Sequence, residues 1–259
     1  MESRSNFEGR CFIISGGSSG IGRAVAQRLC RDGAHVAILG RNEESLAAVA
    51  ASSGALPFMA DVANEKQVEE AYRDVIARFG RLDGLVSNAG IAMAEGLLHA
   101  EDIRTVDAIV NTNLKGTLVF LRSGLRCFLE AHVAGAVVCT SSVIAEQAIR
   151  GGGTAYAATK GAISAVVRQL AIDYADHGIR INAVAPGATD TPLMWAATPR
   201  EFVEATRDAV KRAIPLRRLA NPDEVAAAIT WLLSDEAQYV TGSIVTVDGG
   251  VNAASLLPA

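Results

Sequence analysis

The sequence predicts a single α/β domain, residues 1–259, built on a doubly wound, parallel seven-stranded sheet, and three observations carry that prediction. Short apolar runs alternate along the chain with segments whose apolar residues recur at helical spacing. Half of the residues are hydrophobic but only 5% are aromatic, so the core must be built from Ala, Val, Ile and Leu. That composition suits strands buried on both faces and covered by close-packed helices. The first apolar run ends in a glycine-rich turn that opens a helix, the start of a strand–helix–strand unit.

Cys11 to Ile14 is the first strand, and it stops at Ser15-Gly16-Gly17-Ser18-Ser19-Gly20-Ile21-Gly22. The following helix carries Ala24, Val25, Leu29 and Cys30 at helical spacing and ends at Asp32-Gly33. Backbone N–H groups and the helix dipole face such a turn, and its glycines let a pyrophosphate approach the backbone. His35 to Leu39 is the second strand, ending at Gly40-Arg41-Asn42; Asn42 then caps a helix whose first turn holds Glu43 and Glu44. In a dinucleotide fold a carboxylate here would bond a ribose 2′-hydroxyl, whereas an arginine suits a 2′-phosphate. Gly40 and Arg41 therefore favour NADP over NAD. The plain alternative is an arginine solvated at a loop tip.

Leu56 to Met59 is the third strand, closing on Ala60-Asp61-Val62, and Asn64 to Gln67 reads as a capping box before a helix to about Gly80. The fourth strand, Asp83 to Ser87, runs into Asn88-Ala89-Gly90. Two helices follow, Asp102–Asn111 and Leu114–Ala131, with Asn113 near their junction. A buried helical asparagine needs a partner for its amide. The fifth strand, Ala136 to Thr140, ends in Ser141-Ser142.

Thr154 to Ala162 then places Tyr156 and Lys160 four residues apart, on one face if the run is helical. An ammonium beside a phenol favours the phenolate and lowers the tyrosine pKa, and a proton donor nearer neutrality suits carbonyl reduction. The sixth strand, Ile179 to Ala185, leads to Pro186-Gly187-Ala188-Thr189-Asp190-Thr191. Residues from about 192 to 214 read as a substrate loop with Leu193, Met194, Trp195 and Phe202 as wall residues. A last long helix starts at Asn221-Pro222-Asp223-Glu224, and Ser243 to Val247 is the seventh strand.

The glycine spacing G-x-x-x-G-x-G at Gly16, Gly20 and Gly22, the Asn88-Ala89-Gly90 turn, Ser142 and the Tyr156-x-x-x-Lys160 pair occur in an order that resembles the short-chain dehydrogenase/reductase family from about Phe7 to Gly250. The resemblance implies a Rossmann-type fold and a reductase similar to 3-oxoacyl reductases and other ketoreductases. It implies that Gly16, Ser18, Ser19, Gly20, Ile21 and Gly22 cradle the cofactor phosphates. Asp61 and Val62 would meet the adenine, Asn88, Ala89 and Gly90 a ribose, and Pro186, Gly187, Thr189 and Thr191 the nicotinamide. Ser142 would hold the substrate oxygen, Tyr156 would exchange the proton, Lys160 would lower its pKa, and Asn113 would hold a water that reaches the lysine. Ser141 and Asn111 remain alternatives to Ser142 and Asn113. Thirteen residues separate Ser142 from Tyr156, one more than the family pattern, and Gly151-Gly152-Gly153 can bulge to absorb the extra residue. The leading expectation is NADPH-dependent reduction of a free ketone, or its reverse. An NAD-dependent alcohol or diol dehydrogenase is the alternative, and a silent dinucleotide-binding regulator a third. The family implies a homodimer or homotetramer.

The net charge of −4 offers no electrostatic case for nucleic acid or an anionic membrane. The four cysteines are widely spaced with no C-x-x-C pair, which argues against zinc and disulfides, and no other metal set is apparent. Met1 to Arg10 lacks the apolar core of a signal peptide, and the longest apolar run, Val225 to Leu233, is too short to span a bilayer. A cytoplasmic location is expected.

Overall fold

The computed structural model describes residues 7–92, 96–148 and 152–254. Seven strands form one sheet: β1 (Cys11–Ser15), β2 (His35–Gly40), β3 (Leu56–Met59), β4 (Gly84–Ser87), β5 (Ala136–Thr140), β6 (Arg180–Pro186) and β7 (Ile244–Val247). Every neighbouring pair is parallel, in the order β3-β2-β1-β4-β5-β6-β7. The chain winds outward from β1 to β3, then crosses back to β4 and proceeds the other way. The crevice at the carboxyl ends of β1 and β4, where the order reverses, is the ligand position of such sheets.

Alternation along the buried strands divides the core into two layers. Cys11, Ile13, Leu85 and Val137 face α3 (Glu65–Phe79), α5 (Gly116–Ala131) and α6 (Thr154–Asp173). Phe12, Ile14, Val86 and Val138 face α1 (Gly20–Arg31), α2 (Glu43–Ser53) and α9 (Pro222–Leu233). The helices start where their caps dictate: Asn42 and Asn64 accept from the third residues of α2 and α3, and Asn221 with Glu224 completes a capping box on α9.

Three expectations change. The two helices around Asn113 are one continuous run, in which α4 (Ile103–Ile109) passes through a π-helical turn, Val110–Lys115, directly into α5. A π turn is one residue wider than an α turn, so it turns Asn113 inward without ending the helix. The stretch from about 192 to 214 is mostly helical rather than a loop, made of α7 (Pro192–Trp195) and α8 (Val203–Ala213). Asp83 does not belong to β4. Its carboxylate accepts from the Cys11 N–H at 2.8 Å and pairs with Arg81, tying the entry of β4 to that of β1.

All four cysteines are free, with Cys11 and Cys139 buried. Among the described residues, no helix is long and apolar enough to cross a membrane, and no cluster of three or more His, Cys, Asp and Glu side chains could hold a metal.

Candidate active site

A cleft of about 940 Å³ runs along the carboxyl ends of the central strands. Its first wall is the turn after β1. Gly16, at φ +65°, packs so closely on the next strand's loop that a Cβ would lie 2.8 Å from Ala89 Cα. Ser18, Ser19, Gly20 and Ile21 line the cleft where α1 begins. Ser19 makes no side-chain capping bond and the first turn of α1 holds no acid, so the helix N–H groups and positive dipole end stay available to an anion. Gly22 does not line the cleft. A Cβ there would lie 2.2 Å from the Gly16 carbonyl oxygen, so this glycine lets α1 close on the turn.

The floor is a chain of side-chain bonds across three strand ends. Ser15 Oγ accepts from the N–H groups of Asn88 (3.0 Å) and Ala89 (3.2 Å). Asn88 Nδ2 donates to the Gly16 carbonyl at 3.1 Å, and Thr140 Oγ1 donates to Asn88 Oδ1 at 3.1 Å. The Asn88-Ala89-Gly90 turn thus locks the glycine loop to β4 and β5 while keeping one edge on the cleft.

At one end of the cleft, the pairing of Gly40 with Met59 brings the ends of β2 and β3 together. Arg41, with its side chain 59% exposed, therefore stands 3.9 Å from Asp61, and Val62 lines the cleft beside them. Asp61 also accepts from Ala63 N–H at 2.9 Å. A Cβ on Gly40 would come within 3.3 Å of Ser18 Oγ and of Leu46, a tight contact that either side chain would have to relieve.

At the other end, α6 presents Tyr156 and Lys160 on one face, as their spacing predicts. The buried Lys160 Nζ donates to the Thr140 carbonyl at 2.8 Å and lies 5.6 Å from the centre of the Tyr156 ring. Ser142 hydrogen-bonds the Tyr156 phenol and also caps a short turn by accepting from Ile144 N–H at 3.3 Å. The two serines of β5's end are thereby told apart. Ser141 is buried and bonded to the Lys160 carbonyl and Ser164, so it anchors α6, whereas Ser142 is the one bonded to the tyrosine. The extra residue between Ser142 and Tyr156 does not separate them. Gly152 and Gly153 take positive φ before α6, while Gly151 lies outside the described residues.

The expected lowering of the tyrosine pKa is not what this environment produces. Burial pushes Tyr156 up to about 12, and its bond from Ser142 offsets only part of that. Burial pulls the Lys160 ammonium down to about 8. Two desolvated groups each resist charge, and burial is the largest cause of both shifts.

Asn113 is fully buried and does not line the cleft. Its amide accepts from Ile91 N–H at 2.8 Å and donates to the Ile91 carbonyl at 2.9 Å, so it fastens the loop after β4 to the π turn. A Cβ on Gly90 would lie 3.3 Å from Asn113 Oδ1 and 3.8 Å from Lys160 Nζ, which places the lysine and asparagine on either side of that glycine. Asn111 is exposed and does not line the cleft.

Pro186, Gly187, Thr189 and Thr191 line the cleft after β6, and Thr191 caps α7 by accepting from Met194 N–H at 3.4 Å. Leu193 and Met194 are wall residues as expected, but Trp195 and Phe202 are not. The Trp195 indole instead donates to Asp190 at 2.7 Å. Sequence reasoning missed Ser15, whose signal was a hydroxyl closing an apolar run, Gln147 of the wall, and Val210 and Ile214, which fall with Val203 at helical spacing inside the 192–214 region.

This combination of a doubly wound sheet, an acid-free helix N-terminus and a serine–tyrosine–lysine group defines a dinucleotide-dependent oxidoreductase site. A family model described as enoyl-(acyl carrier protein) reductase matches residues 16–252, and the chain belongs to the short-chain dehydrogenase/reductase family. It is 36% identical over 252 residues to 2,5-dichloro-2,5-cyclohexadiene-1,4-diol dehydrogenase of Sphingobium indicum, covering 96% of this chain and 99% of that protein. It is 38% identical over 251 residues to cis-4-hydroxycyclohexanecarboxylate dehydrogenase of Sinomonas cyclohexanicum, covering 95% and 98%. The solved 3-ketoacyl-(acyl-carrier-protein) reductase of Brucella melitensis, complexed with NADH, superposes with a TM-score of 0.87 at 31% identity, covering 95% of this chain and 99% of that one. The protein is therefore an oxidoreductase acting on CH–OH or C=O groups with a nicotinamide dinucleotide.

Proposed function

We propose that the protein reduces a small, neutral ketone to a secondary alcohol with NADPH, or catalyses the reverse. The observation that carries this reading is Tyr156, hydrogen-bonded to Ser142 and set over Lys160, at one end of a cleft whose middle is the helix N-terminus of α1. The donor set fits a dinucleotide. Gly16, Ser18, Ser19, Gly20 and Ile21 would hold its pyrophosphate, Arg41, Asp61 and Val62 its adenosine half, and Asn88, Lys160 and Thr191 its nicotinamide half. When bound, that cofactor supplies or accepts the hydride.

The protein's own groups manage the oxygen. Ser142 and Tyr156 bond the ketone oxygen, and Tyr156 delivers its proton as charge develops there. A phenol held up near 12 is fully protonated at neutral pH, which suits the donor role in the direction of reduction. Lys160 supplies positive charge beneath the ring and a donor toward the nicotinamide ribose. Asn113 contributes by holding the Ile91 loop against the lysine. The surrounding wall of Val143, Ile144, Met194, Val210 and Ile214 excludes water and favours an apolar substrate.

Tyr156→Phe should lower turnover by about 100- to 10,000-fold while leaving NADPH binding nearly intact. Near wild-type turnover in that variant would sink the assignment. The assay is a ketone and alcohol panel run with both dinucleotides, and it includes cyclic ketones and diols because the relatives named above act on six-membered rings.

The choice of NADP rests on Arg41, exposed at the cleft edge with only a long contact to Asp61, and on the missing carboxylate at Gly40. Arg41→Asp should turn the preference toward NADH; unchanged discrimination would mean that the 2′-phosphate is read elsewhere. An NAD-dependent diol dehydrogenase is the second reading, supported by the diol dehydrogenase relative, and the same panel separates the two. Association as a homodimer or homotetramer is part of the proposal by family resemblance.

A further inference from the structure

α7 and α8 carry Met194 and Val210 of the substrate wall, and neither is anchored by buried residues of its own. A four-residue helix cannot persist on its own, and α8 has no buried residue along its whole length. Both are held by one carboxylate. Asp190 Oδ1 accepts from the Trp195 indole N–H of α7 at 2.7 Å, and Asp190 Oδ2 accepts from Arg207 Nη1 of α8 at 2.6 Å. The Arg207 guanidinium closes the triangle, 4.6 Å above the Trp195 ring. Asp190 itself is rigidly based. Its N–H donates to the Ala220 carbonyl at 2.9 Å, Ala220 N–H returns to Ala188 at 3.0 Å, and Thr189 bridges to Ala220. On either side of Asp190, Thr189 and Thr191 line the cleft.

We propose that Asp190 is a positioning residue that clamps α7 and α8 to the cofactor segment, so that the clamp sets how tightly substrate is held rather than how fast it reacts. The proposal rests on the reading that the Met194, Val210 and Ile214 end of the cleft takes the ketone. Asp190, Trp195 and Arg207 do not line that cavity, so the chemical step is left to Ser142 and Tyr156, which do. Releasing the clamp lets the wall residues depart from the substrate, which weakens ground-state and transition-state binding together.

Asp190→Asn and Arg207→Met are the variants to make in the full chain, with Arg207→Lys as the conservative control. The first readout is hydrogen exchange across residues 192–213 in the NADPH-bound protein, which needs no ketone. Both variants should raise exchange there by about ten-fold or more and leave α1, α5 and α6 unchanged. The second is steady-state kinetics with the fastest ketone of the panel. KM should rise by about ten-fold with kcat within about three-fold of wild type, and Arg207→Lys should recover part of the loss because it keeps the charge but not the stacked fork. Unchanged exchange in 192–213 would overturn the clamp, as would a fall in kcat at constant KM. Should the panel yield no ketone turnover at all, the functional reading fails while the exchange experiment still decides the clamp.

Discussion

Lys160 is the residue whose setting has the clearest measurable consequence. An ordinary lysine titrates at 10.5, and burial lowers this one to about 8. Between those values the unfolded chain binds a proton that the folded chain has released, so stability rises with pH through that window. Tyr156 acts in the opposite sense above it. Its phenol is pushed from 10 up to about 12, so the unfolded chain ionises first and stability falls as pH rises through that range. The buried thiols of Cys11 and Cys139, pushed from 9 up to about 12, also lower stability from about pH 9 upward, so the lysine is read by difference. Relative to Lys160→Met, the wild type should gain on the order of 2 kcal/mol between pH 8 and 10 in chemical denaturation; wild-type and variant curves that run parallel would show that Lys160 does not titrate in that window. At this scale the sequence was a good guide to identity and a poor one to environment. The Tyr156–Lys160 spacing and the Ser141-Ser142 pair could be read directly. Which serine faces the tyrosine, and that burial outweighs the ammonium, depend on strand ends and desolvation that no local pattern encodes.

Among the elements, helix ends and turns tell most. The capping residues Asn42, Asn64 and Asn221 announced α2, α3 and α9 because a cap acts on its own next few residues. The π turn could not be read in that way, since Asn113 is paired with Ile91, which lies 22 residues earlier. Trp195 was misassigned for a related reason. A helix of one turn has no periodicity from which to infer a face, and its orientation is set by Asp190 and Arg207. The end of α5 offers a test of local strain. His132 takes the left-handed conformation, φ +53°, at the position where glycine closes α2 and α3. It is exposed, so His132→Gly removes a Cβ penalty without opening the core. The variant should be more stable by about 0.5–1 kcal/mol, read as a higher denaturation midpoint with an unchanged slope. A lower midpoint would mean that the imidazole makes a contribution larger than the backbone strain.

For the molecule as a whole, the alternation of strand and helix and the Ala, Val, Ile and Leu composition were enough to foresee seven strands in one parallel sheet. Their spatial order, β3-β2-β1-β4-β5-β6-β7, was not read from the sequence, because it depends on pairings between segments far apart in the chain. The wall formed by α7 and α8 was foreseen only as a region. Its lining residue Val210 comes from α8 and Ile214 from the residue that ends it, and the sequence analysis had named only the region that holds them.

The bond from Cys11 N–H to Asp83 spans 72 positions, and the Asn88 side chain reaches back an equal distance to Gly16. Those two ties give the cofactor loop a timetable. On the ribosome, at roughly 5–20 residues per second, β1 is made several seconds before the strand that completes its inner side. During that interval Phe12 and Ile14 have β2, α1 and α2 to lean on but neither β4 nor α9, and the glycine turn has no Asn88 to hold it. The nucleotide cradle is thus encoded near the beginning of the chain but becomes a cradle only after the middle of the chain has arrived.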